Sequence, residues 1–386
     1  MGEVVDQWAN IHEDMLDEFT KRFHLYDDYL QLRLICKQWN FKLPKILNGN
    51  KAPWLLLPIG GGAATNEILE SNSLEEKGIY HLTLPDLQDG LIRGSCYGWL
   101  IIVSMYEGTI RMLNPLTKVC LDLPPISDLP DVIQNGDECS FFFAGHSMIT
   151  EETILANKFL VWKVIINSAP DDINFMAVVL YGSCRLAFYK SSNRRWLKLP
   201  TRPRPYFQDV IFFQQKIYAI QHDGQLYEFD TMTKAEPVVR IFKPSTPFDT
   251  VTKDINQKYL IGTADGTLLM VVRHLINLIC EEEERYYKTT RFDIYELKKD
   301  SNAWSRISSL GNYILVIGFN ASVKLFAGDL LNSKGNQIYF TDSLVQEQSM
   351  VETYYHNIGI FNLEDGSCQD VLSDVNFFCP PVWILP

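Results

Sequence analysis

The residue types that make and break bonds are present in this chain, but not at working spacings. Seven histidines stand at 12, 24, 81, 146, 222, 274 and 356. None forms His-x-x-x-His or His-Glu-x-x-His, so there is no local zinc signature. Eight cysteines, at 36, 96, 120, 139, 184, 280, 368 and 379, include no Cys-x-x-Cys pair. They read as reduced thiols. Gly60-Gly61-Gly62 runs on into Ala63-Ala64-Thr65-Asn66, without the Gly-Lys-Ser/Thr a phosphate-cradling loop needs. Ser104, Ser183 and Ser309 lack a Gly-x-Ser-x-Gly context, so no hydrolase elbow is indicated. His222-Asp223-Gly224 is a dyad on paper, but Asp-Gly there serves a hairpin turn. Glu281 to Glu284 and Arg202-Pro203-Arg204-Pro205 are solvated charge runs. The expectation is a chain without catalytic residues, metal ligands or cofactor.

What remains is the chemistry of burial. Ile11, Leu16, Phe19, Leu25, Ile35 and Trp39 form an apolar set near the start. Such side chains on short helices pack into a groove between a partner's helices, or against their own chain. Three aromatic pairs, Tyr206-Phe207, Tyr286-Tyr287 and Tyr354-Tyr355, fall on expected long loops. Those loops are Pro200–Gln208, Cys280–Thr290 and Ser343–His356; a fourth is Ile126–Glu138. Binding residues concentrate on loops, and paired aromatics are interface anchors in many complexes. The competing reading packs each ring on its own sheet.

The elements that must carry these residues change character near residue 45. Before it, Met15, Leu16, Phe19 and Phe23 share a helical face from about Glu13. Asp27 or Asp28 caps a second helix, with Tyr29, Leu32, Cys36 and Trp39 on one face. After residue 50 the pattern is β. Short runs rich in Val, Ile, Tyr and Phe alternate with turns, and Asp-Gly hairpin signals stand at 89–90, 223–224, 265–266 and 365–366. A degenerate unit of strands, a polar turn and a strand often closed by Leu-Pro or a tryptophan recurs, for example at Leu186–Tyr189, Ser191–Arg195 and Trp196–Pro200. Such repeats favour a β-propeller over a sandwich or barrel. We expect about six kelch-like blades over residues 50–386, preceded by an all-α segment at 1–45. Trp54–Pro58 or Ile79–Leu84 should pair with Val382–Leu385 to hide the edge strands.

Composition narrows the function. The 386 residues are 46% hydrophobic and 21% charged, with a net charge of −12. That is an ordinary soluble composition with no basic patch for nucleic acid. The most apolar stretch, Leu268 to Cys280, is broken by Arg273 and His274 and is too short for a membrane helix. Met1 to Asn10 has no signal-peptide pattern, so a cytoplasmic or nuclear setting is expected.

The residues just placed also resemble a known family. Trp8-Ala9-Asn10-Ile11, Asp14-Met15-Leu16 and Arg33-Leu34-Ile35-Cys36-Lys37-Gln38-Trp39 look like an F-box. The later segments look like the β-propeller of plant KIB-type F-box proteins. They are Pro53–Pro58, Gly94–Trp99, Leu113–Thr117, Asn336–Asp342 and Pro380–Trp383. The usual Leu-Pro of the F-box is Ile11-His12 here, and its Leu-Leu is Met15-Leu16. The resemblance implies a non-catalytic substrate receptor of an SCF ubiquitin ligase. The F-box would dock a Skp-type adaptor, and through it a cullin, and the propeller would hold a target protein. Two rivals stay open at this point: a propeller scaffold without a ligase role, and a propeller enzyme of the hydrolase or oxidase kind.

Overall fold

The computed structural model describes residues 11–12, 15, 39, 53–57, 66–70, 79–82, 90–104, 107–115, 117–134, 141–143, 160–182, 185–202, 205–231, 237–242, 245, 255–279, 285–298, 300–330, 333–341, 357–371 and 380–384. The expected helices over residues 1–45 fall almost wholly outside that set. Among the described residues past 50 the chain is β, with single 3-10 turns at Ile126–Asp128 and Ala327–Asp329.

The strands follow one another as repeated meanders. The first sheet holds β1 (Trp54–Leu57), β2 (Asn66–Glu70) and β3 (Ile79–Leu82). The next is β4 (Gly90–Cys96), β5 (Trp99–Ser104), β6 (Ile110–Leu113) and β7 (Cys120–Leu123). A ribbon of β8 (Val132–Gln134) and β9 (Phe141–Phe143) leads to β10 (Val161–Ile166), β11 (Met176–Tyr181), β12 (Arg185–Lys190) and β13 (Trp196–Lys198). Then come β14 (Phe207–Phe213), β15 (Lys216–Gln221), β16 (Leu226–Asp230) and β17 (Val238–Phe242). The following sheet is β18 (Ile255–Gly262), β19 (Leu268–Ile279), β20 (Arg285–Lys298) and β21 (Ala303–Ile307). A five-stranded sheet contains β22 (Tyr313–Ile317), β23 (Val323–Phe326), β24 (Gln337–Phe340), β25 (Gly359–Asn362) and β26 (Cys368–Asp370). The last strand, β27 (Val382–Ile384), returns to the first sheet.

Inner strands of successive sheets pack on one another: β4 on β10, β10 on β14, β14 on β18, β18 on β23, and β27 on β4. The sheets therefore form a ring, a β-propeller. Burial falls from inside to outside. Every residue of β4 and β11 is buried, whereas β7 and β26 are largely exposed. The gradient explains the near-continuous apolar runs of inner strands and the polar outer ones.

One expectation needs correction. Among the described residues five sheets are four-stranded; the other large sheet has five strands, in the order β23-β22-β24-β25-β26, with β22 and β24 parallel. The chain leaves the β22–β23 hairpin and passes back across its start. A Cβ at Gly335 would lie 2.3 Å from the Gly311 carbonyl oxygen. That close approach sets β24 on the far side of β22, so this sheet departs from the plain meander of the others.

The Asp-Gly turns also differ in detail. At 223–224, 265–266 and 365–366 they do join paired strands. Only the glycines take positive φ, at 82°, 85° and 72°. Each aspartate instead accepts a backbone N–H two residues on, from Gln225 at 3.0 Å, Thr267 at 3.0 Å and Ser367 at 2.8 Å. These are Asx turns with a left-handed glycine, not type I′ turns.

The ring closes as expected. Trp54, Leu55 and Leu56 pair antiparallel with Ile384, Trp383 and Val382. Trp383 has 0% exposure and packs with Leu55, Ile314 and Tyr339, joining the first sheet to the five-stranded one. Deleting residues 380–386 should expose the edge of β1 and give aggregation with a lowered melting temperature. Trp383→Ala should cost about 3–5 kcal/mol in denaturant unfolding. A soluble truncation with an unchanged melting temperature would show that the ring does not depend on this clasp.

Candidate protein-docking face

The inner strands begin at one end of the ring, and there the polar seams lie. Gln208 and Asp209, at the start of β14, reach across to β18. Gln208 Nε2 donates to Asn256 O at 2.9 Å, and its Oε1 accepts from Lys258 N at 3.2 Å. Asp209 Oδ2 accepts from Leu260 N at 2.8 Å. Asp209 Oδ1 accepts from Lys163 Nζ at 2.6 Å, tying β14 to β10 as well. Both charged groups are buried. The alternation of β14 is broken by a bulge between Phe207 and Asp209, which aims these two adjacent side chains at the neighbouring sheet.

The same end carries the longest hairpin. β19 and β20 pair from Leu269↔Glu296 out to Ile279↔Arg285, with a register shift after His274. Its base is clamped by Arg273, which is fully buried. The guanidinium donates to Thr289 Oγ1 at 2.8 Å, Thr341 O at 3.0 Å and Asn357 O at 3.0 Å, and lies 4.7 Å from the Phe340 ring centroid. Thr341 and Asn357 themselves thus both lie beside the hairpin.

Beside the clamp, His274 Nε2 and Asp293 Oδ2 are 2.7 Å apart, and both residues are buried. The His274 hydrogen bond, with the charges of Arg306 and Arg291, holds the Asp293 carboxyl below the usual range despite its burial. Arg291 and Arg306 remain largely exposed. Tyr206, 44% exposed, stands edge-on to His222 with ring centroids 5.8 Å apart. Ile255 and Ile276 are exposed at this end too. Aromatic, aliphatic and arginine side chains on one rim are the composition of a protein-docking surface.

The residues chosen from the sequence are distributed as follows. Tyr206 is on this face. Phe207 is not available: it is 3% exposed and packs edge-on to Tyr227 at 5.1 Å. As the first residue of β14 it points inward where Tyr206 points out. Tyr286 and Tyr287 are not on a loop but in β20, opposite Leu278 and Asn277. Tyr287 is half-buried. Tyr354 and Tyr355 lie outside the described residues, as do Leu16, Phe19, Leu25 and Ile35. Ile11 is half-buried, and Trp39, at 5% exposure, packs inside the chain and is not an open anchor. Arg291, Arg306, Ile255 and Ile276 join this face without a motif of their own in the sequence. The apolar stretch from Leu268 was the available signal, since a run of that length with Arg273 and His274 inside it fits a strand leaving the core. Among the described residues no three His, Cys, Asp or Glu side chains group to hold a metal, and no helix is long and apolar enough to cross a membrane.

Lys258 gives a measurable handle on this face. Its Nζ donates to His222 O and Asn256 Oδ1, both at 2.6 Å. Burial pushes its amine from 10.5 down to about 8, against the opposing influence of Asp223. Between about 8 and 10.5 the unfolded chain keeps this proton while the folded chain has lost it. Stability from this group therefore rises with pH across that window, and its cost is fully present below it. Lys258→Met should raise the denaturant midpoint at pH 7 relative to pH 9.5 more than the parent chain allows. Equal pH dependence in both proteins would remove Lys258 as the source.

Comparison with known proteins agrees with the geometry. The family described as KIB1-4 beta-propeller matches residues 71–362. The chain is similar to F-box protein SKIP23 of Arabidopsis thaliana, 23% identical over 98% of this chain and 95% of that protein. A putative F-box protein of the same plant is 21% identical over 98% of this chain and 97% of its own length. With the ring of sheets and a match over most of its length, the chain belongs to the KIB1-4 β-propeller family.

Proposed function

We propose that this chain is the substrate-recognition subunit of an SCF-type ubiquitin ligase. One observation carries the reading: relatives named F-box proteins align over 98% of the chain, so their similarity takes in the N-terminal segment as well as the propeller. In this reading residues 1–45 dock a Skp-type adaptor, and residues 50–386 form the target-binding unit. Ile11, Leu16, Phe19, Leu25 and Ile35 supply the apolar contacts, with Trp39 packing the segment from within. Tyr206, Tyr287 and the rim beside them hold the target protein. The setting is cytosol or nucleus, where that machinery works.

The chain acts by position, not by chemistry. Holding a target beside a conjugating enzyme raises the effective concentration of its lysines. The centre of the ring supports a non-catalytic role. Residues 318–322 leave the five-stranded sheet and meet two others. Ala321 N donates to Ser95 O at 2.8 Å, and the Arg93 guanidinium lies 5.2 Å from the Phe319 ring centroid. Lys163 Nζ is 3.5 Å from Gly318 O. The Lys163 ammonium at the centre is thus engaged with the protein's own chain.

Leu16→Asp would place a charge in an apolar groove, which is costly unless paired. The variant should lose co-purification with a Skp-type adaptor while its melting temperature stays that of the parent. Equal adaptor binding by both would leave a propeller scaffold without a ligase role. The double variant Tyr206→Ala, Tyr287→Ala should keep the adaptor and lose target proteins recovered by the parent chain under proteasome inhibition. An unchanged set of recovered targets would place the docking surface elsewhere.

A further inference from the structure

The β14–β17 and β18–β21 sheets leave a cavity of about 310 Å³ between them, lined from Phe213 and Lys216 at the β14–β15 turn to Leu226 and Phe242. Its floor is apolar, formed by Phe213, Leu226, Phe242, Leu268 and Leu297. The seam beside it is tight. A Cβ at Gly262 would lie 2.2 Å from the Phe213 ring, so glycine there lets the ring seat against β18. One side of the floor is therefore held where the Phe213 ring seats against the backbone of β18.

The rim is charged, and its charges do not cancel. Glu228, 11% exposed at its side chain, accepts from Lys216 Nζ and from Tyr218 Oη, each at 2.7 Å. Burial raises the Glu228 carboxyl, but these hydrogen bonds and the nearby cations outweigh it, and the group ends below its ordinary value. It is a carboxylate, already occupied by Lys216 and Tyr218. Arg240 is the second cation, and its NH1 stands 3.9 Å from Glu228, beyond hydrogen-bond length. Its side chain is 69% exposed. One carboxylate thus faces two cations, and the guanidinium keeps its forked donors for something else.

We propose that this cavity is a binding site for a small apolar carboxylic acid. The hydrocarbon body rests on the floor, and the carboxylate takes the paired N–H groups of Arg240, with Lys216 beside it. Two physical facts carry this. A planar guanidinium recognises a carboxylate through two parallel hydrogen bonds. The volume is at the lower end of the range for small-molecule sites, with an apolar lining and a few convergent polar groups. The site is independent of the adaptor and target surfaces proposed above.

The test uses the full chain with hydrocinnamate and its uncharged amide, hydrocinnamide, as probes in calorimetric titration. The parent should bind the acid about tenfold more tightly than the amide. Arg240→Gln should erase that preference while leaving the amide affinity and the melting temperature unchanged. Should Arg240→Gln fail to fold, Lys216→Gln reads out the same loss of preference. Equal binding of acid and amide by the parent, or no saturable binding of either, overturns the proposal. A capped peptide with an internal Phe-Glu step is the last arm. If it binds as tightly as the free acid or more so, the occupant is a protein segment and the small-molecule assignment fails.

Discussion

The structure depends on the closure of a ring of sheets. A stack of open four-stranded sheets would leave unpaired backbone at both ends of the series and apolar faces without cover. Here β27 comes back across more than 300 residues to pair with β1. The pairing costs loop entropy that grows only slowly with the span, and it removes two edges at once. Trp383, Leu55 and Val382, none with measurable exposure, show how fully the clasp is embedded. Inner strands such as β4 can then be buried on both faces, because each has a neighbouring sheet on each side.

Burial of the inner strands creates a second demand. Backbone N–H groups at seams between sheets have no ladder partner, and buried polar groups must be satisfied. The chain answers with side chains. Asp209 alone serves β10 and β18, accepting from Lys163 Nζ and from Leu260 N. Removing either member of the Lys163–Asp209 pair would strand a buried charge, a loss on the order of 3–5 kcal/mol. Arg273 does the same between the long hairpin and the five-stranded sheet. These polar links fix the angle between neighbouring sheets, which apolar packing alone leaves adjustable.

Rigid seams are what let the rim carry function. The docking face is assembled from the starts of β14, β18 and β20 and the end of β19, elements held by the Gln208, Lys258 and Arg273 networks. The cavity lies at the seam of the same two sheets. This closely connected pair of sheets thus presents both surfaces, and a partner meets side chains whose positions are already set.

The sequence by itself determined much of this. Alternating and continuous apolar runs after residue 50 marked strands, and the residues of β1 and β27 were recognisable as partners because both were β-like without a neighbour. The segments resembling the KIB-type propeller pointed to the family that the comparison shows. Other features were decided only in three dimensions. Tyr206 and Phe207 look alike in sequence, yet one step of strand alternation sends the first to solvent and the second into the core. Cys280 to Thr290 looks like a loop because its first five residues are charged or polar, but cross-strand pairing extends β20 back to Arg285. The parallel strand pair of the five-stranded sheet has no local signal, since it follows from where the chain crosses Gly311 and Gly335. Local patterns encode which face of an element is apolar. Which element comes to lie beside it, and so which charges share one rim, is settled by packing between residues far apart in the chain.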